Sequence, residues 1–185
     1  MAECTLRERD VGGRLVLVRH AKSDYPWGVE DHDRPLNARG RRDAPEAGRW
    51  LSEHVSWTLG APPVVIVSSA RRAQLTWGLM RTALTPDWDA AVVVDEPRIY
   101  EADVADILIA VTEGVGASDT AIVIGHNPGL AQMVQHCARA GRLRDEAVSS
   151  FRTSAIAVLT SDDPLQTALE APQQFDVRAF AVPRG

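Results

Sequence analysis

A chain of 185 residues, 45% of them hydrophobic and with no long polar low-complexity run, can bury one substantial core. This points to a single domain over 1–185, with residues 1–13 peripheral or disordered. A formal charge of -5 excludes the basic footprint of a general nucleic-acid or membrane-surface binder, so any anion site has to be a local basic pocket.

No segment approaches the roughly 18 uninterrupted apolar residues of a membrane span, and the opening MAECTLRERDVGG lacks a signal-like apolar core. Cys4 and Cys137 lie far apart and outside any CxxC arrangement, as expected of reduced thiols in a cytoplasmic protein.

In chain order, Arg14 to Val18 (RLVLV) predicts a buried strand, and the loop at its carboxyl end begins with Arg19 and His20. Asp24 to Pro35 is rich in turn formers and charges. Asn37 then suits the N-cap of a helix reaching about His54, although Gly40 and Pro45 interrupt it. Pro63 to Val67 predicts a second strand leading into Ser68 and Ser69, followed by a helix from about Ala70 to Leu84. A third strand over Ala91 to Val94, a helix over Val104 to Thr112 and a fourth strand over Thr120 to Ile124 come next. That strand runs into Gly125, His126, Asn127 and Pro128, and a helix continues to about Arg139. Ala155 to Thr160 and Phe175 to Val182 read as two more strands, antiparallel neighbours across an irregular connection.

Strands alternating with helices predict an α/β three-layer sandwich, its mostly parallel central sheet covered by helices on both faces. In open α/β sheets, ligands bind outside the carboxyl ends of the strands. Three of these strands end in His20, Ser68 and His126, so distant segments can converge there. Arg19, His20, Arg72 and His126 together suit phosphoryl transfer: two guanidiniums match the charge spread over the equatorial oxygens, and a neutral imidazole is a competent nucleophile. Taken singly, each has an ordinary alternative, a hydrogen-bonded histidine or a solvated arginine.

The order of short motifs adds weight. Arg19-His20-Ala21, the segment RPLNARG from Arg34 to Gly40, SSARRAQLT with Ser68, Arg72, Ala73 and Thr76, and the GHNP of Gly125 to Pro128 resemble the histidine phosphatase (phosphoglycerate mutase-like) superfamily. RHAKS followed by RPLxxRG, without a large insertion, is most similar to its SixA-type phosphohistidine phosphatases. The resemblance implies a phosphoglycerate mutase-like fold, His20 as phosphoryl acceptor, Arg19, Arg72 and His126 completing a phosphate pocket, and no metal or organic cofactor. Arg72 matches the motif, with Arg71 as its competitor.

For the proton donor, Glu101 in the segment YEAD is the first candidate and Asp103 the second, with capping of the next helix as the alternative for either. Ser23 and Asn127 are assigned to substrate binding, and Lys22 lies close to His20. His32 in DHD is the one arrangement that suggests a metal, and its spacing does not match a metal motif. The five tryptophans are expected to be packing or loop anchors. With only core elements between Arg72 and His126, the pocket should be open. Such a pocket suits a phosphohistidine-bearing protein, and it also admits a small phosphorylated substrate. A mutase would need a lid, and a non-catalytic phosphoprotein-binding module would not need a nucleophile.

Overall fold

The computed structural model describes residues 12–55 and 61–185. The expectation for residues 1–13 therefore lies outside the described residues up to position 11, as do those for Cys4 and Trp57. The chain order is β1 (Gly13–Arg19), α1 (Ala38–His54), β2 (Val64–Ser68), α2 (Arg71–Arg81), β3 (Val92–Glu96), α3 (Val104–Gly114), β4 (Thr120–Gly125), α4 (Gly129–Cys137), α5 (Arg142–Ser150), β5 (Ile156–Ser161), α6 (Leu165–Leu169) and β6 (Asp176–Ala181). The six strands form one sheet in the order β3-β2-β4-β1-β5-β6. The first four run parallel, while β5 pairs antiparallel with both β1 and β6.

The near-continuous apolar runs of β1, β2 and β4 follow from cover on both faces. Because side chains alternate along a strand, Leu15, Leu17, Ile66 and Val123 face one layer while Val16, Val18, Val65, Val67, Ile122 and Ile124 face the other. The first layer is built from Ile107, Leu130, Met133, Ala147 and Leu165 of α3 to α6. The second comes from Ala47 and Leu51 of α1 and Ala73, Trp77 and Met80 of α2. The α/β sandwich expected from the sequence is the architecture observed.

Asn37 does cap α1, its Oδ1 accepting the N–H of Gly40 at 2.9 Å. The helix runs through both Gly40 and Pro45. Gly40 is there because the first turn rests on the chain after β1, where a β-carbon would overlap the carbonyl of Lys22. The RPLNARG segment thus fastens α1 to the loop that carries His20.

Two elements differ from the sequence-based expectation. The short α6 occupies the connection expected to be irregular, and α5 a stretch without a sequence-based assignment; α5 buries only Ala147 and α6 has five residues. One buried position or five residues is too little to show a helical apolar repeat. The strands β3 and β6 also extend differently by one or two residues from their expected bounds.

Candidate active site

Strands β2, β4 and β1 lie side by side at the centre of the sheet, so their carboxyl ends share one edge. The register pairs Arg19 with Gly125, the last residues of β1 and β4. His20 and His126 therefore leave the sheet together. The N–H of His20 donates to the Gly125 carbonyl at 3.0 Å, and the imidazole centroids stand 5.0 Å apart. Ser68 ends β2, on the other side of β4.

His20 is 7% exposed, and its Nδ1 lies 2.7 Å from the carbonyl oxygen of Ala21. A carbonyl only accepts, so Nδ1 carries the hydrogen. Burial, and then the nearby guanidiniums of Arg72, Arg19 and Arg34, push the imidazole pKa down to about 3, although the Ala21 bond acts in the opposite sense. The ring is neutral at ordinary pH, with its lone pair on Nε2. Ala21 is itself held in place: its N–H donates to the hydroxyl of Thr76 at 2.9 Å, and that hydroxyl donates to the Arg72 carbonyl at 2.6 Å. Thr76 in the third motif ties the β1 loop to α2.

His126 accepts a comparable constraint from Ser68, whose Oγ lies 2.8 Å from Nε2. The N–H of Ala70 donates to the same hydroxyl oxygen at 3.3 Å. Burial, followed by His20 and Arg72, lowers the His126 pKa to about 3, so this ring is also neutral. Its other ring nitrogen, Nδ1, is buried and has no protein partner.

Arg72 is 6% exposed, whereas Arg71 beside it on α2 is exposed, so the motif residue is the one turned inward. Arg19 Nη1 and Asn127 Nδ2 both donate to the carbonyl of Phe151, at 2.9 and 2.7 Å. One backbone oxygen thereby orients two of the expected site residues, while Arg19 Nε and Asn127 Oδ1 are left without a protein partner. Arg19, His20, Ser23, Arg72, His126 and Asn127 all line one cavity of about 200 Å³. Lys22, Tyr25, Arg34 and Thr153 complete its wall.

Glu101 does not line that cavity; it is exposed, with a left-handed φ of 54°. Asp103 caps α3, its Oδ1 accepting the N–H of Asp106 at 3.0 Å. His32, the residue of the metal-like DHD, hydrogen-bonds through Nε2 to Ser69 Oγ at 3.0 Å.

Three contributors escaped the sequence reading. Asp31 receives Arg34 Nη1 at 2.5 Å, pairs with Arg72 Nη2 at 3.1 Å and accepts the Tyr100 hydroxyl at 2.9 Å. Its backbone carbonyl also takes Arg72 Nη1 at 2.6 Å. The hydrogen bond from Arg34 is the main cause of a pKa lowered to about 2, so Asp31 is a carboxylate and not an acid at neutral pH. Arg34 also donates to Ser23 Oγ at 2.6 Å, and its guanidinium lies 3.4 Å from the Tyr25 ring centroid. Tyr100 meets the edge of His126 at 5.7 Å between centroids. Arg34 was visible in its motif but carried no role; Asp31 was one acid among four in a charged turn and had no local mark.

Three guanidiniums and one ammonium against a single carboxylate make this cleft cationic in a chain of net charge -5. It can bind a phosphoryl group and present to it a neutral, unprotonated imidazole nitrogen.

A protein of uncharacterised function from Mycobacterium tuberculosis (strain H37Rv) is 37% identical over 146 residues, 77% of this chain and 85% of its own. One from Mycobacterium leprae is 33% identical over 174 residues, 90% of this chain and 100% of its own. Among solved structures, a protein assigned as the phosphohistidine phosphatase SixA of Nakamurella multipartitia superposes with a TM-score of 0.73 at 28% identity, covering 94% of this chain and 99% of that one. The phosphoglycerate mutase of Plasmodium falciparum shares the fold at 18% identity, with a TM-score of 0.54 and coverage of 94% and 92%. The sequence pattern of the histidine phosphatase superfamily (branch 1) matches residues 15–182, and the chain belongs to that family of phosphatases.

Proposed function

We propose that this chain, as one histidine phosphatase domain, hydrolyses phosphohistidine on a protein through a transient phosphohistidine on His20. The observation that carries the proposal is the Nδ1–H bond from His20 to the Ala21 carbonyl at 2.7 Å, which leaves Nε2 unprotonated in a cationic cleft. His20 Nε2 attacks phosphorus as the phosphorus–nitrogen bond of the substrate breaks, and the departing imidazole nitrogen keeps the electron pair and takes up a proton. Water then attacks the phosphoryl-His20 and releases inorganic phosphate, restoring the neutral ring. Arg19, Arg72 and His126 bear the phosphoryl charge in both steps, with Ser23 and Asn127 contributing polar contacts at its edge.

Two features favour a nitrogen leaving group over an alkoxide. Asp31, the carboxyl group nearest the arginines, is held as a carboxylate by Arg34. Glu101, put forward as proton donor, stands outside the cavity wall and must move in with substrate to act. A departing imidazole needs less help from an acid than an alkoxide does.

The stretch between Arg72 and His126 is taken up by α2, β3, α3 and β4, which suits an open cleft and a protein substrate. A cytoplasmic location goes with that reading, since Cys137 is a free buried thiol. Among the described residues, no helix is long and apolar enough to cross a membrane.

Phosphate release is to be measured from a phosphohistidyl protein, an aryl phosphate and a sugar phosphate in excess EDTA. Wild type should prefer the phosphohistidyl protein, and His20→Ala should lose both turnover and the acid-labile phosphoenzyme. Undiminished turnover in the variant rejects the nucleophile, and preference for the sugar phosphate rejects the substrate class. Glu101→Gln should depress aryl phosphate hydrolysis more than phosphohistidine hydrolysis; the reverse order excludes Glu101 as the donor.

A further inference from the structure

The loop after β1 makes a turn at Pro26-Trp27-Gly28-Val29, with the Val29 N–H donating to the Pro26 carbonyl at 3.3 Å. Gly28 has a φ of 75°, the left-handed value that the third residue of a type II turn requires, so Trp27 occupies the second position at the tip. The base of the loop is stitched. Asp24 N–H donates to the Pro35 carbonyl at 2.8 Å, Asn37 N–H to the Lys22 carbonyl at 3.0 Å, and Arg34 Nε to the Asp24 carbonyl at 2.9 Å. The tip is therefore displayed by a braced loop.

What the tip displays is unlike the other tryptophans described. Trp77 and Trp88 are buried and Trp50 is half-buried, whereas Trp27 is 100% exposed, beside Tyr25 at 71% and Val29 at 38%. The indole contributes no burial to this fold, and with Tyr25 and Val29 it forms an exposed apolar patch, the kind of feature that marks an interaction site. Tyr25 also lines the phosphate cleft. Two residues of chain span at most about 7 Å, so Trp27 stands at the mouth of that cleft. Exposed carboxylates of Asp24 and Glu30 flank it.

We infer that the Tyr25–Val29 turn is a docking tip for the protein that carries the phosphohistidine. Trp27 enters an apolar recess next to the phosphorylated side chain, and basic side chains around that recess meet Asp24 and Glu30. This rests on the phosphohistidyl-protein reading above and deepens it. A small phosphorylated molecule does not account for the geometry, because small ligands are held in concavities and a ring exposed on every side forms none. A projecting indole is instead a knob that a macromolecular surface can enclose, and tryptophan is prominent among the side chains that dominate protein interfaces.

The test compares wild type, Trp27→Ala and Trp27→Phe on the phosphohistidyl form of a small phosphocarrier protein and on free phosphohistidine. For Trp27→Ala, kcat/KM on the protein should fall about tenfold or more, mostly through KM, with Trp27→Phe recovering part of the loss. On free phosphohistidine the three should agree within about twofold, the range set by ordinary surface substitutions. No loss on the protein, or an equal loss on both substrates, overturns the docking tip. If wild type turns over free phosphohistidine but not the phosphohistidyl protein, the protein-substrate reading fails first and the docking tip falls with it.

Discussion

Acidification should destabilise this protein through its two cleft histidines before its carboxylates matter. His20 and His126 are 7% and 9% exposed and each has its pKa lowered to about 3, from an ordinary 6.5, chiefly by burial. Because the folded value lies below the unfolded one, the unfolded chain binds protons that the native cleft refuses. Their stabilising contribution is complete above pH 6.5 and is lost as pH falls toward 3. At pH 5 the linkage relation assigns a loss of about 2 kcal/mol to each ring, and about 4 kcal/mol to both if they titrate independently. That is a large share of a typical domain stability of about 5–15 kcal/mol.

Asp31, with its pKa near 2, adds almost nothing at pH 5, so that pH isolates the imidazoles. The assay is the urea midpoint at pH 7 and at pH 5, at low phosphate, for wild type, His20→Gln and His126→Gln. Either variant is expected to be less stable than wild type at pH 7, since a buried hydrogen bond is lost, yet to show roughly half the wild-type drop on acidification. A wild-type midpoint that does not move between the two pH values, or variants that retain the full drop, would refute the reasoning.

Two local substitutions test other parts of the design. Ser68→Ala leaves Nε2 of His126 buried without its 2.8 Å partner and frees the ring to turn. A lost buried hydrogen bond of about 1–3 kcal/mol corresponds to about a five- to 150-fold fall in kcat/KM, read with an aryl phosphate. Ser68→Thr should restore much of it, and full activity in Ser68→Ala would show that His126 needs no such support. Gly40→Ala should destabilise by about 1–3 kcal/mol in urea denaturation, despite alanine's better helix propensity, because the obstructing atom is the Lys22 backbone carbonyl and not a movable side chain. A stability gain in that variant would mean that the two segments are not in close contact.

The strands, the helices with clear starts, and the convergence of His20, Ser68 and His126 were legible because these signals are local. An apolar run followed by polar residues marks a strand and its carboxyl end, and Asn37 marks the start of α1 whatever the rest of the chain does. Arg72 could be preferred to Arg71 from its place in a motif, and its burial agrees. Helices α5 and α6 were not legible, since α5 buries only Ala147 and α6 is five residues long, too little for a helical apolar repeat.

Asp31, Arg34 and Trp27 required the tertiary structure. In sequence Asp31 is one of several acids in a turn; only closure of the loop base puts its carboxylate between Arg34 and Arg72 and under the Tyr100 hydroxyl. Glu101 was the more conspicuous carboxyl group, yet it is exposed and does not line the cavity. Nothing in PWGV says whether the indole is covered. Strand periodicity belongs to a few neighbouring residues, whereas an ion pair, a pKa and the exposure of a ring depend on which distant segments arrive beside them, and that is decided by how the whole chain packs.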